Sequence, residues 1–304
     1  MSSIAGSLPR PVFLIGPERR RAGIVAAIGI AGAAWVISIG LELTGNAALL
    51  HHHALIQSGS LPLWLGIPLF LLAWQVMVAS MMLPASLRAV GVVAGSRFVR
   101  RPAAALAGFL GAYALVWSAF GLAAFVGDIG LHALVAASPW LAGHQWLIPA
   151  FTLALAGGYQ LMPWRLAALE ACRHPSRRVR ADSGARPADV GAPGRDAAPG
   201  RDAGAPPSDV GSPGRDAGSA GRDADLRAGF GVGLAHGLDC LASSWALMLL
   251  MFAVGVANVA WMAVLAAVMA YEALGRRGRL AGQGFGLLLI ALGALVAAGV
   301  PAGF

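Results

Sequence analysis

Seven apolar stretches, each roughly 20 residues long, dominate this chain. A helix of about 20 residues rises about 30 Å, which matches the hydrocarbon core of a bilayer. We predict membrane spans at 22–41, 61–83, 102–127, 146–169, 228–254, 259–274 and 281–301. Only 12% of the residues are charged, whereas soluble domains carry about a quarter. The predicted fold is an all-α, polytopic transmembrane helical bundle of about seven spans.

The basic residues predict the orientation of the bundle. All of them are arginines, and they cluster in every second loop. Because basic loops stay on the cytoplasmic side, we predict a cytoplasmic N-terminal segment at 1–21 and an outward C-terminus. The same distribution argues against nucleic acid as a partner, since the net charge of +8 is spread between spans rather than along one face. The clusters are Arg19 to Arg21; Arg88, Arg97, Arg100 and Arg101; Arg173, Arg177, Arg178 and Arg180; and Arg276, Arg277 and Arg279.

A linker of different composition divides the predicted bundle into helices 1–4 (22–175) and helices 5–7 (228–304). Residues 176–227 contain mainly Gly, Ala, Pro, Asp and Arg, and the motif Gly-Arg-Asp-Ala recurs four times. Such a segment buries too little apolar surface to offset its chain entropy. We predict a disordered cytoplasmic linker.

The fifth predicted span carries two neighbouring stripes of small and polar residues. Glycines recur every four residues at Gly229, Gly233 and Gly237, a spacing that lets another helix approach closely. Polar groups form the second stripe, chiefly His236, Asp239 and Cys240, whose nitrogen, oxygen and sulfur atoms suit a transition metal. The alternative is a hydrogen-bonded cluster between helices, in which His236 and Asp239 bond each other or Arg165.

Methionines and a second cysteine extend the candidate ligand set. Met77 and Met81 share a face of the second span, and thioethers are soft ligands that suit Cu(I). Methionine is also a common filler of packed cores, so packing is the alternative for both residues. Cys172 follows the fourth span on the cytoplasmic side, whereas Cys240 lies near the middle of the fifth. A site shared by both thiols therefore requires a bent or re-entrant segment.

Three blocks of the sequence resemble a bacterial family of predicted metal-binding integral membrane proteins, a domain of unknown function sometimes described as copper chaperones. The first block resembles the family pattern W-x-x-M…MM-x-P, the second G-x-Y-Q-x-x-P-L-K…C-L-x-x-C-R-x-P, and the third H-G-x-x-C-L-x-C-C-W-x-L-M…G-x-M-N-x-x-W-M…E. The matching residues here are Trp74, Met77, Met81, Met82 and Pro84; then Gly158 to Arg165 with Cys172, Arg173 and Pro175; then His236, Gly237, Cys240, Trp245, Met248, Gly255, Asn258, Trp261, Met262 and Glu272.

The departures from the family pattern concern thiols above all. Ala168, Ser243 and Ser244 stand where the family has cysteines, and Arg165 stands where it has lysine. A hydroxyl is a weaker ligand than a thiolate for soft metals, so the metal site expected from the resemblance is reduced to two thiols, with Asp239 as a replacement ligand.

These observations predict a non-enzymatic protein of the bacterial inner membrane that handles a transition metal, most simply copper. The candidate ligands are His236, Asp239, Cys240, Cys172, Met77 and Met81, and the partners are the lipid bilayer and the metal ion. Two alternatives remain open: a transporter of protons or a small solute that uses Asp239 and His236 as a relay, and a membrane scaffold without cargo.

Overall fold

The computed structural model describes residues 16–44, 62–96, 99–175, 215–254 and 258–299, and every regular element among them is an α-helix. In chain order the helices are α1 (Pro17–Leu43), α2 (Leu63–Met82), α3 (Leu87–Gly95), α4 (Pro102–Ala137), α5 (Pro139–Ala142), α6 (Leu147–Gln160), α7 (Pro163–Arg173), α8 (Arg215–Val254), α9 (Val259–Leu274) and α10 (Gly278–Ala297).

Five of these helices, α1, α2, α4, α8 and α10, are long and apolar enough to cross a membrane. They overlap the first, second, third, fifth and seventh predicted spans, although α4 continues to Ala137 whereas the third predicted span ends at 127. The sixth predicted span is the shorter apolar helix α9, whose bounds equal the prediction. The described residues therefore contain an all-α arrangement with five candidate membrane helices.

The fourth predicted span, 146–169, is not one helix, and the prediction of a continuous span there is wrong. The chain forms α6, turns at Leu161 and Met162, and begins α7 at Pro163. Proline has no amide hydrogen to donate to the preceding turn, so a helix accepts it readily only in its first turn. This break redirects the chain shortly before Cys172.

The boundary of the predicted linker also differs from the structure. Helix α8 begins at Arg215, so residues 215–227 are helical, whereas the prediction starts the span at 228. Part of the reason is tertiary: the carboxylate of Asp225 accepts hydrogen bonds from the backbone amides of Arg100 (3.4 Å) and Arg101 (2.8 Å), where α4 begins. The rest of the predicted linker, 176–214, lies outside the described residues.

Helices α4 and α8 form the most extensive helix–helix contact among the described residues, and glycines allow their close approach. A Cβ atom on Gly229 would lie 2.7 Å from the carbonyl carbon of Ala105, and one on Gly233 would lie 2.7 Å from Cα of Phe109. The prediction that this glycine stripe admits a close helix is confirmed, and α4 is the partner. Beyond this contact, α4 and α8 join α2, α6, α9 and α10 around a core rich in aromatic and methionine side chains.

Candidate functional site

A small cavity opens where α7, α8 and α9 meet the turn between α2 and α3. Its volume is about 20 Å³, enough for a water molecule or a single ion. The lining combines sulfur, nitrogen and oxygen atoms within an apolar surround. The lining residues are Met82, Ala85, Ser86, Leu169, Cys172, His236, Cys240, Ser243, Ser244, Met269, Glu272 and Ala273.

The two cysteines of the chain meet at this cavity. Both thiols are free and buried, and they line the cavity from two different helices, α7 and α8. The thioether of Met82 lies 4.0 Å from Sγ of Cys240. Four sulfur-bearing side chains, Met82, Cys172, Cys240 and Met269, therefore line one cavity. Cys172 lies on α7, after the break in the fourth predicted span.

A chain of hydrogen bonds holds the Cys240 thiol from its other side. Sγ of Cys240 lies 3.1 Å from the hydroxyl of Tyr113 on α4. The Ser86 hydroxyl donates to that oxygen at 3.3 Å and lies 3.1 Å from Nε2 of His236. All four residues are buried. The imidazole also stacks against the ring of Tyr113, with centroids 6.0 Å apart, so both His236 and Cys240 are fixed in orientation.

Ser243 and Ser244, which stand where the resembled family has cysteines, use their hydroxyls locally. Both donate to the backbone carbonyl of Cys240, at 2.9 Å and 2.6 Å respectively. This is the return hydrogen bond that serine makes within a helix. The hydroxyls therefore satisfy the polar backbone of α8 at the cavity.

The structure brings together some of the residues that the sequence predicts as ligands. Cys172, His236 and Cys240 line the cavity. Met77 and Met81 are buried in the apolar core, and neither they nor Asp239 lines the cavity. The thioethers that line it are those of Met82 and Met269. Met82 belongs to the family-like block but shares no helical face with Met77 and Met81.

Two residues of the predicted hydrogen-bonded cluster, His236 and Arg165, have polar partners in the structure. His236 bonds Ser86, while Arg165 forms an ion pair with Glu272. Tyr113, Ser86 and Glu272 were missed as site residues. For Glu272 a signal existed, because a carboxylate within an apolar helix requires a partner. Tyr113 and Ser86 carried no such signal, since hydroxyls are common in membrane helices.

The sequence profile of the PpoB2 family, described as a copper chaperone, matches residues 71–193 and 217–296. The chain belongs to this family. No curated protein and no solved structure matches it.

Every residue that lines the cavity falls inside the two segments that match the PpoB2 profile. The donors of this PpoB2 protein are chemically suited to copper: thiols, a thioether and an imidazole are ligands that Cu(I) prefers. Among the described residues, no group of three or more His, Cys, Asp and Glu side chains is close enough to hold a metal ion. The donor set therefore rests on two thiols supplemented by methionine.

Proposed function

We propose that this PpoB2 protein binds monovalent copper in the cavity and passes it on, with the thiols of Cys172 and Cys240 as the principal ligands. The observation that carries the proposal is that these two buried thiols, from separate helices, line one small cavity together with the thioether of Met82. Copper is here the cargo rather than a resident cofactor. The role is carriage, not catalysis.

The chemistry of the donors favours Cu(I) over harder metal ions and over ions that require four ligands in a tetrahedron. Zinc sites require about four ligands in a tetrahedron, commonly Cys and His, whereas soft Cu(I) accepts thiolates and thioethers. In the cavity the hydroxyls of Ser243 and Ser244 donate to a backbone carbonyl and the Glu272 carboxylate pairs with Arg165, so the sulfur atoms are the proposed donors. The volume of about 20 Å³ fits one ion and is far below that needed for an organic solute.

A matched set of substitutions tests the proposal in the detergent-purified protein. Cu(I) is titrated against a chromophoric Cu(I) chelator under reducing conditions. We expect one Cu(I) per chain in the unsubstituted protein, a loss of binding in Cys172→Ser and in Cys240→Ser, and weaker binding in Met82→Leu. Met77→Leu is the control, because Met77 is buried outside the cavity. Undiminished Cu(I) binding by a Cys172→Ser/Cys240→Ser protein would overturn the assignment.

We further propose that the chain crosses the bacterial inner membrane seven times with its N-terminus in the cytoplasm. The alternating arginine clusters support this topology. In it, α6 and α7 together make the fourth crossing and α9 the sixth, although neither α6 nor α9 has the length of the other five. Reporter fusions placed at the N-terminus, within 176–214 and after 299 test it: the first two should report the cytoplasm and the last the periplasm.

A further inference from the structure

A buried ion pair lies beside the cavity, between Arg165 of α7 and Glu272 of α9. Arg165 is 1% exposed and Glu272 is 2% exposed, and Glu272 also lines the cavity. Nη2 of Arg165 donates to Oε2 of Glu272, while its Nε donates to the backbone carbonyl of Ser243 on α8 at 3.0 Å. One arginine side chain thus joins three helices.

Such a pair is poorly explained as a source of stability. Desolvation of each ion is expensive, and replacing a buried ion pair by apolar side chains is often neutral or stabilising. Buried ionic groups can instead specify one arrangement of the elements they connect. Here the pair joins α7 to α9, and Arg165 also bonds α8, so the arginine connects the two helices that carry the thiols.

The register of α7 links Arg165 to Cys172. The two residues are seven positions apart, which is close to two helical turns, so they project from the same side of the helix. They are buried together with Leu169, and these three are the buried residues of α7. On α8 the arginine contacts Ser243, whose hydroxyl in turn donates to the carbonyl of Cys240. The contact of Arg165 therefore fixes α7 on α8 within one turn of the Cys240 thiol.

Helix α10 packs against the ion pair of Arg165 and Glu272 at Gly282, where the missing side chain leaves space for both groups. A Cβ atom on Gly282 would lie 2.9 Å from Cδ of Glu272 and 3.1 Å from Nη1 of Arg165, and it would overlap the Oε1 atom. A second hydrogen bond lies at the C-terminal end of α7, where Nη2 of Arg173 donates to the carbonyl of Gly275 at 2.5 Å. Helix α7 is thereby held at both ends by arginines.

We propose that Arg165 and Glu272 are positioning residues that hold the Cys172 thiol against the Cys240 thiol, and so assemble the two-sulfur site; its use for copper rests on the proposed function. Arginine suits this task better than the lysine of the family pattern, because its planar fork donates to Ser243 and Glu272 in fixed directions, whereas a lysine ammonium is a single point on a flexible stem. In Arg165→Lys the charge remains and the fixed geometry is lost.

The rate of disulfide formation between the two thiols measures their positioning without any metal. The reduced, metal-free, detergent-purified full chain is treated with diamide, which takes up the two thiol hydrogens while one S–S bond replaces two S–H bonds. Trypsin cleaves at arginines between 173 and 240, so the two halves stay joined on a non-reducing gel only if the disulfide has formed. The chain has two cysteines in all, so the readout is specific.

We expect the disulfide rate to fall about tenfold or more in Glu272→Gln and in Arg165→Met/Glu272→Leu, and by a smaller factor in Arg165→Lys. A tenfold change corresponds to about 1.4 kcal/mol. The apolar double variant guards against simple misfolding, because removing both charges leaves neither one buried without a partner. Glu170→Gln is the control on α7 itself, since Glu170 is 49% exposed and pairs with His174; its rate should equal that of the unsubstituted chain.

A double variant that elutes as a monodisperse species and forms the disulfide at the unsubstituted rate would overturn the positioning role. The copper proposal fails in a different way. If the unsubstituted chain forms the disulfide rapidly but binds no Cu(I) when reduced, the positioning role stands and the cargo is wrong. If the unsubstituted chain binds Cu(I) but the substitutions in the ion pair leave the disulfide rate unchanged, the copper proposal stands and the positioning role is wrong.

Discussion

The glycines of α8 predict that the same substitution, glycine to alanine, affects stability differently at two positions only two residues apart. Gly233 faces α4, and an alanine Cβ there would lie 2.7 Å from Cα of Phe109. Gly231 lies on the exposed side of the same helix, and a Cβ there meets nothing within 4 Å. We therefore compare Gly233→Ala with Gly231→Ala, two identical chemical changes on opposite sides of the helix.

The expected magnitudes follow from two effects. Non-bonded carbon atoms settle about 3.5–4.0 Å apart, so α4 and α8 must separate by about 1 Å to admit the new methyl group at 233. Overpacking of this kind costs about 1–3 kcal/mol. Alanine is also favoured over glycine in a helix by about 1 kcal/mol, and this gain applies at both positions. Gly231→Ala should thus stabilise the fold slightly, and Gly233→Ala should be less stable than Gly231→Ala by about 1–3 kcal/mol.

The assay is equilibrium unfolding of both variants in mixed micelles of a denaturing and a mild detergent, followed by circular dichroism. Because the helix-propensity gain is shared, the difference between the two free energies of unfolding isolates the contact between α4 and α8. Equal unfolding midpoints, or a more stable Gly233→Ala protein, would refute the close approach of these helices.

Two further predictions concern Asp225, whose carboxylate bonds the backbone at the start of α4, and Tyr113, which belongs to α4. Asp225→Ala removes the carboxylate that accepts the amides of Arg100 and Arg101, and by analogy with helix capping it should cost about 1 kcal/mol of unfolding free energy, whereas the exposed Asp223→Ala should be neutral. Tyr113→Phe deletes the hydroxyl at 3.1 Å from Sγ of Cys240, a bond worth about 1 kcal/mol, so Cu(I) affinity should fall several-fold in the chelator titration; unchanged affinity would mean that Tyr113 does not orient the thiol.

Local sequence patterns were sufficient for the helices and for part of the site. Apolar stretches of membrane length predicted α1, α2, α4, α8, α9 and α10, since helix formation in a bilayer satisfies every backbone hydrogen bond within the segment. The family-like blocks pointed to Cys172, His236 and Cys240, and the glycine period identified the face of α8 that meets another helix. These properties depend on residues near one another in the chain.

Other features of the site could not be predicted in this way. The sequence offered Met77, Met81 and Asp239 as ligands, whereas the cavity is lined by Met82 and Glu272. Periodicity identifies which residues share a face of one helix, but the rotation of that helix within the bundle is set by its contacts with all of its neighbours.

The sequence by itself thus determined a set of membrane-length helices, a close-packing glycine face and two cysteines on separate segments. Only the tertiary structure decided that the two thiols meet. Their place at one cavity goes together with the break before Pro163, the hydrogen bond of Arg165 to α8, and the space that Gly282 leaves for Glu272. The physical reason is that each of these contacts joins helices distant in sequence, where hydrogen bonds and steric fit, rather than local propensity, select the arrangement.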